Sequence, residues 1–161
     1  MGQVVSHEVS VFPHGDDRDA LFPVGGEENF KSFIKKANEA GVPISLYTNP
    51  ILINENAHRF GAKRGEWGFG YRPVDYGDMM GYVPCLSFRK WLDYMVESWA
   101  FLAGDLGANI IYLDQLGSGA SICNRTDHPH PSPEPHFYGE RELTQRIREA
   151  IPQDAVICSE A

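Results

Sequence analysis

Long apolar runs are missing from this chain. No segment approaches the roughly 20 consecutive apolar residues of a membrane-spanning helix. The opening residues, Met1 to Glu8, lack the basic and apolar regions of a secretory signal. Positive charge is also scarce, with 14 Lys and Arg against 22 Asp and Glu and a net charge of −8. Gripping nucleic acid or an anionic membrane needs a basic face that neutralises phosphates, so neither partner is expected. Cysteine is limited to Cys85, Cys123 and Cys158. That odd number and its spacing fit no disulfide framework and no zinc ribbon, so they read as buried or loop thiols and leave the compartment open. No glycine fingerprint follows a strand pattern, since Gly25-Gly26 is too little, and no dinucleotide, phosphate-loop or other cofactor is called for. What is present suits one soluble domain over residues 1–161, with 42% hydrophobic residues, enough for a real core, and 12% aromatics.

The apolar residues alternate between two periods. Val9-Ser10-Val11 reads as a strand, broken by the loop that holds His14, Asp16 and Asp17. Phe30, Phe33, Ile34 and Ala37 recur at helical spacing and predict a helix over residues 27–40, ended by Gly41. A strand over 42–48 follows, leaving Tyr47 and Asn49 at its end. Residues 49–86 then form a long loop of weak periodicity. Its run Trp67-Gly68-Phe69-Gly70-Tyr71 offers flat rings that could stack on a sugar or plug a local cluster. Phe88, Trp91, Leu92, Met95, Trp99, Leu102 and Leu106 mark the buried face of a second helix over 87–106, with Ser87 as its N-cap and Gly107 as its stop. Ile110 to Leu113 read as a buried strand, apolar enough to allow burial on both faces, that runs into Asp114 and Gln115. After the proline-rich loop 115–137 come a third helix over 138–151, with Leu143, Ile147 and Ala150 on one face, and a strand over 155–159 that leads into Glu160.

Strands that alternate with crossover-length helices predict an α/β fold with a parallel sheet. Polar and acidic groups at successive strand ends (Tyr47 and Asn49, then Asp114 and Gln115, then Glu160) predict part of a (β/α)8 TIM barrel, in which chemistry sits at the C-terminal ends of the strands. The expected architecture is a partial barrel with three crossover helices and with loops 49–86 and 115–137 at its mouth. Two carboxyls facing one pocket are the minimum equipment for glycoside hydrolysis. One, ionised, attacks the anomeric carbon, and the other, protonated, gives its proton to the leaving oxygen. Asp114 fits the first role and Glu160 the second. His128, His130, Cys123 and His136 are metal ligands by residue type, but their spacing matches no zinc motif. Hydrogen bonding to a polar substrate or to the loop backbone is expected of them, and no metal is assigned.

The run from Trp91 through Gly107 to Gly117, followed by Cys123, His128-Pro129-His130-Pro131, the arginine-rich helix from Glu140 to Glu149 and Ser159-Glu160-Ala161, resembles a group of bacterial glycosidase-like barrels. These are similar to α-galactosidases and endo-α-N-acetylgalactosaminidases. The resemblance implies an Asp nucleophile at one strand end and a Glu acid/base at a later one, which fall on Asp114 and Glu160. It implies a carbohydrate substrate, for which Tyr47, Asn49 and Gln115 at the strand ends, His128 and His130 in the proline-rich loop and Trp67 in the aromatic loop are the expected binding residues on the reading of the sequence itself. It also implies that further barrel strands are missing from this chain. Unpaired sheet edges would then make the isolated segment unstable or oligomeric, and inactive alone. The reading is therefore a retaining glycoside hydrolase. The alternatives are a non-catalytic carbohydrate-binding barrel and a metal-dependent hydrolase that uses His128, His130 and Asp114.

Overall fold

The structure is a computed structural model that describes residues 25–54, 69–75, 80–117 and 122–159, with side chains left aside at 54, 69–75, 80 and 81. The first expected strand, the loop with His14, Asp16 and Asp17, and the residues Trp67 and Glu160 lie outside the described residues. In chain order the elements are α1 (Glu27–Glu39), β1 (Ser45–Thr48), β2 (Ile53–Asn54), β3 (Phe69–Asp75), β4 (Met80–Pro84), α2 (Arg89–Ala100), β5 (Ile110–Leu113), β6 (Ile122–Cys123), β7 (Glu134–Pro135), α3 (His136–Ala150) and β8 (Val156–Ser159).

The predicted α/β order is present. β1, β5 and β8 form a parallel sheet with β5 in the centre, paired Tyr47 to Tyr112 and Tyr112 to Cys158. Asn109 sets the register at the start of the sheet, because its Oδ1 accepts the Ile44 N–H at 2.9 Å and its own N–H goes to the Ile44 carbonyl. The two faces of the central strand differ. β5 is not buried on both faces: Ile111 and Leu113 are fully buried against the helices, whereas Ile110 and Tyr112 are half-buried on the other face. β1 repeats the pattern, with Leu46 and Thr48 buried and Tyr47 half-buried. Four apolar letters in a row permit two-sided burial but do not require it.

The helices end as their sequences dictate. Gly41, at φ 75°, closes α1 in a Schellman motif, its N–H bonding the Asn38 carbonyl and the Val42 N–H that of Ala37. Phe30 and Ile34 bury their face, but Phe33 is 47% exposed, at the rim of the stripe and stacked on Phe30. α2 buries Trp91, Leu92, Met95 and Trp99, then widens into a π turn, Phe101–Asp105, before Gly107 at φ 81°. Its predicted cap is corrected: Phe88 holds the N-cap position, and the buried Ser87 hydroxyl has no partner among the described residues. Indole N–H groups fasten α2 to the end of β1, Trp91 to the Pro50 carbonyl at 3.0 Å and Trp99 to Thr48 Oγ1 at 2.9 Å. α3 begins earlier than predicted, at His136, and buries Leu143 and Ile147 but leaves Ala150 exposed. It packs on α2, and so closely on the turn before that helix that a Cβ on Gly139 would lie 2.2 Å from the Leu86 carbonyl oxygen. Surface pairs between these helices, such as Arg89 with Glu142 at 2.8 Å, are solvated and contribute little.

Loop 49–86 is not structureless. β2, β4 and β3 build an antiparallel sheet in that order, with Ile53 opposite Tyr82 and Pro73 opposite the same residue. Gly70, Pro73 and Gly81 interrupt the alternation by which a strand is recognised. Pro73 is tolerated because β3 is an edge strand among the described residues. Loop 115–137 likewise holds a short antiparallel pair, β6 with β7. No helix among the described residues is long and apolar enough to cross a membrane.

Candidate active site

Parallel pairing of Thr48 with Leu113 brings the next residues, Asn49 and Asp114, side by side at the C-terminal ends of β1 and β5. The Asp114 N–H continues the ladder to the Thr48 carbonyl at 2.8 Å. Its carboxylate is buried, 8% exposed, and two donors converge on Oδ2: the Tyr47 hydroxyl and the Asn49 amide, the latter at 3.0 Å. Asn49 is itself oriented, because its Oδ1 accepts the Ile51 N–H at 3.1 Å and so turns the NH2 group to Asp114. Tyr47 is held by stacking on Tyr112, with ring centroids 5.8 Å apart. Gln115, immediately after the carboxylate, takes a left-handed backbone at φ 59°. A non-glycine residue pays strain for that conformation, and such strain concentrates at functional sites. Tyr47, Asn49, Asp114 and Gln115 are thus brought together as the sequence suggests. Their mutual contacts, with Tyr47 and Asn49 fixing the carboxylate, could not be read from sequence.

His128 and His130 belong to a different cluster. There Cys85 Sγ lies 3.2 Å from His130 Nε2, and Cys123 Sγ lies 3.3 Å from His128 Nδ1. One ligand atom from each of the four residues falls within 4.8 Å of every other, and Asp114 is not among them. Cys85 was not singled out from the sequence. It sits in the turn after β4, far from the histidines in the chain, and only the fold reveals it. Burial is the main cause that pushes its thiol up to about 12. In the loop that carries the histidines, the Arg125 guanidinium grips Asp127 and holds that carboxyl down at about 2. A cavity of about 320 Å³ opens between the ends of β5 and β8 and α3, lined by Leu113, Leu116, Glu140 and Ser159. It does not include Asp114. Burial raises the carboxyl of Glu140, which receives the Gly117 N–H.

His136, buried at the first position of α3, has its pKa pushed below the ordinary 6.5, first by burial and then by nearby His130. The positive end of a helix disfavours an imidazolium in the same direction. The unfolded chain therefore takes up the proton more readily. Stability is complete above pH 6.5 and falls as the pH drops through that value toward the folded pKa. Thermal melts from about pH 8 to about pH 5 should show this loss, and His136→Gln should make it shallower. Equal slopes for the two proteins would contradict the assignment.

No protein-family model and no curated protein matches the chain. Solved structures do. An α-galactosidase from Thermus thermophilus, in complex with stachyose, superposes with a TM-score of 0.59 at 20% identity over 80% of this chain and 27% of its own. A GH31 family sulfoquinovosidase from E. rectale gives 0.62 at 16% identity, over 83% and 21%. A GH36 α-galactosidase from Geobacillus stearothermophilus, in complex with raffinose, gives 0.61 at 18% identity, over 84% and 19%. The chain spans about a quarter or less of each neighbour's length. At these identities the likeness defines the fold, which is a glycosidase-like α/β fold.

Proposed function

We propose that this chain is part of the catalytic (β/α)8 barrel of a retaining glycoside hydrolase that cleaves an O-glycosidic bond, with Asp114 as nucleophile and Glu160 as acid/base. The observation that carries the proposal is the Asp114 carboxylate: buried, at the C-terminal end of the central parallel strand, and gripped on one oxygen by Tyr47 and Asn49. That end of the strands is where barrels of this kind place their chemistry. Support comes from the glycosidase-like fold and from the carbohydrates bound by two of its structural neighbours, stachyose and raffinose. It also comes from the pairing of Leu113 with Ser159, the residues that precede Asp114 and Glu160 in the sequence.

In this mechanism Oδ2 is occupied by its two donors and Oδ1 attacks the anomeric carbon. The glycosidic C–O bond breaks as Glu160 gives its proton to the leaving oxygen. The product is a glycosyl ester on Asp114. Glu160, now a carboxylate, takes a proton from water as that water attacks the same carbon and releases Asp114. Two inversions give net retention. Tyr47 and Asn49 keep the nucleophile in one orientation, which lowers the barrier by removing rotational freedom before the attack. Gln115 and Trp67 are assigned to the sugar. Proton NMR of an aryl glycoside digested by the full-length protein tests the reading. The first-formed sugar should keep the anomeric configuration of the substrate. An inverted product, or binding without turnover as in a carbohydrate-binding barrel, would contradict it.

A further inference from the structure

Cys85, Cys123, His128 and His130 have the character of a metal site. Cys85 and Cys123 are buried, at 1% and 6% exposure, and His128 is 8% exposed. The polar atoms these side chains present to one another are sulfur and imidazole nitrogen, and thiols are weak hydrogen-bonding partners. The His128 ring has only the weakly bonding Cys123 sulfur on Nδ1. Such an arrangement satisfies its buried polar atoms poorly unless a cation joins them. His130 is prepared for one. Its Nδ1 donates to the Pro131 carbonyl at 2.8 Å, which fixes the proton there and leaves the Nε2 lone pair facing Cys85. A backbone carbonyl on the far nitrogen is the usual means of orienting a metal-bound histidine.

The spacing agrees. Tetrahedral Zn²⁺ holds sulfur at about 2.3 Å and nitrogen at about 2.0–2.1 Å, which places the donor atoms about 3.3–3.8 Å from one another. Here the two closest sulfur–nitrogen pairs are 3.2 and 3.3 Å apart, and all four atoms lie within 4.8 Å. We propose that Cys85, Cys123, His128 and His130 bind one Zn²⁺ in a closed, structural tetrahedral site. Two thiolates with two imidazoles select zinc over the harder, oxygen-preferring cations. Four protein donors leave no open position for water, so the ion takes no part in glycoside cleavage. Its task is mechanical. Cys85 lies in the turn after β4, Cys123 in β6 and the histidines in the loop to β7. One ion therefore ties the antiparallel sheet β2-β4-β3 to the β6–β7 loop. The proposal stands apart from the glycosidase assignment and survives its failure.

The test is elemental analysis of the full-length protein, purified under reducing conditions and reconstituted with zinc. About one zinc per chain is expected, as for any structural site with four protein ligands. Co²⁺ in its place should give the intense visible bands of a tetrahedral ion, with thiolate charge transfer in the near ultraviolet, which needs no variant. Chelation should lower the melting temperature. Cys85→Ser should weaken zinc affinity, read by competition with a chelator of known affinity, by at least the tenfold to hundredfold typical of losing even an outer partner. Cys158→Ser, whose sulfur lies on β8 outside the cluster, should leave it unchanged. Substoichiometric zinc after reconstitution together with an octahedral cobalt spectrum would overturn the proposal. So would a Cys85–Cys123 disulfide in the reduced preparation.

Discussion

Asp114→Asn should lower kcat on an activated aryl glycoside by at least about a thousandfold, more than 4 kcal/mol of barrier, with the fold intact. The substitution keeps the shape of the side chain. The amide oxygen can still accept from Tyr47 and Asn49, so the hydrogen bonds that fix the end of β5 survive. What disappears is the nucleophile, since an amide oxygen at the anomeric carbon is a poor substitute for a carboxylate. A purely structural Asp114 would give the opposite pattern, a lower melting temperature with turnover per folded molecule preserved. Asp114→Gly separates the readings further. Added azide should restore turnover of the activated substrate and yield a glycosyl azide of inverted configuration, because the anion then attacks from the vacated side. No rescue, with unchanged residual hydrolysis, would move the nucleophile elsewhere.

Gly139→Ala should destabilise the protein by about 1–3 kcal/mol, even though alanine is the better helix former by about 1 kcal/mol. The added carbon would lie 2.2 Å from the Leu86 carbonyl oxygen, 2.3 Å from its carbon and 2.8 Å from its Cβ. These are mostly backbone atoms, which cannot swing aside as a flexible side chain can. Either α3 withdraws from α2 or the turn at Leu86 moves, and the buried Leu143 and Ile147 lose packing in both cases. Cys85 is the preceding residue, so the same displacement should weaken zinc binding. Urea unfolding measures the first effect. An alanine variant as stable as the parent would mean that helix propensity outweighs the close contact.

The sequence carried the parallel frame because each of its elements announces itself locally. The Trp91–Leu106 stripe, the glycines after α1 and α2 and the apolar run before Asp114 are signals within one element. It concealed features that depend on partners distant in the chain. β3 and β4 are strands whose alternation is broken by Gly70, Pro73 and Gly81, and only their pairing with one another makes them legible. Gly139 is an unremarkable helical residue until Leu86 is placed against it. The same holds for the histidines. Read along the chain, His128 and His130 match no ligand spacing. Cys85, contributed by another loop, completes the set. At the candidate site the positions of Tyr47, Asn49 and Asp114 followed from strand ends. Their shared contact at Oδ2 required the register of β1 on β5.

The most direct measurement is covalent trapping. The full-length protein is incubated with an activated fluoroglycoside that forms the glycosyl-enzyme quickly and releases it slowly, and is then digested and sequenced by mass spectrometry. The account predicts one sugar ester per chain on the peptide carrying Asp114. An adduct on another carboxylate, or steady hydrolysis with no adduct, would contradict it.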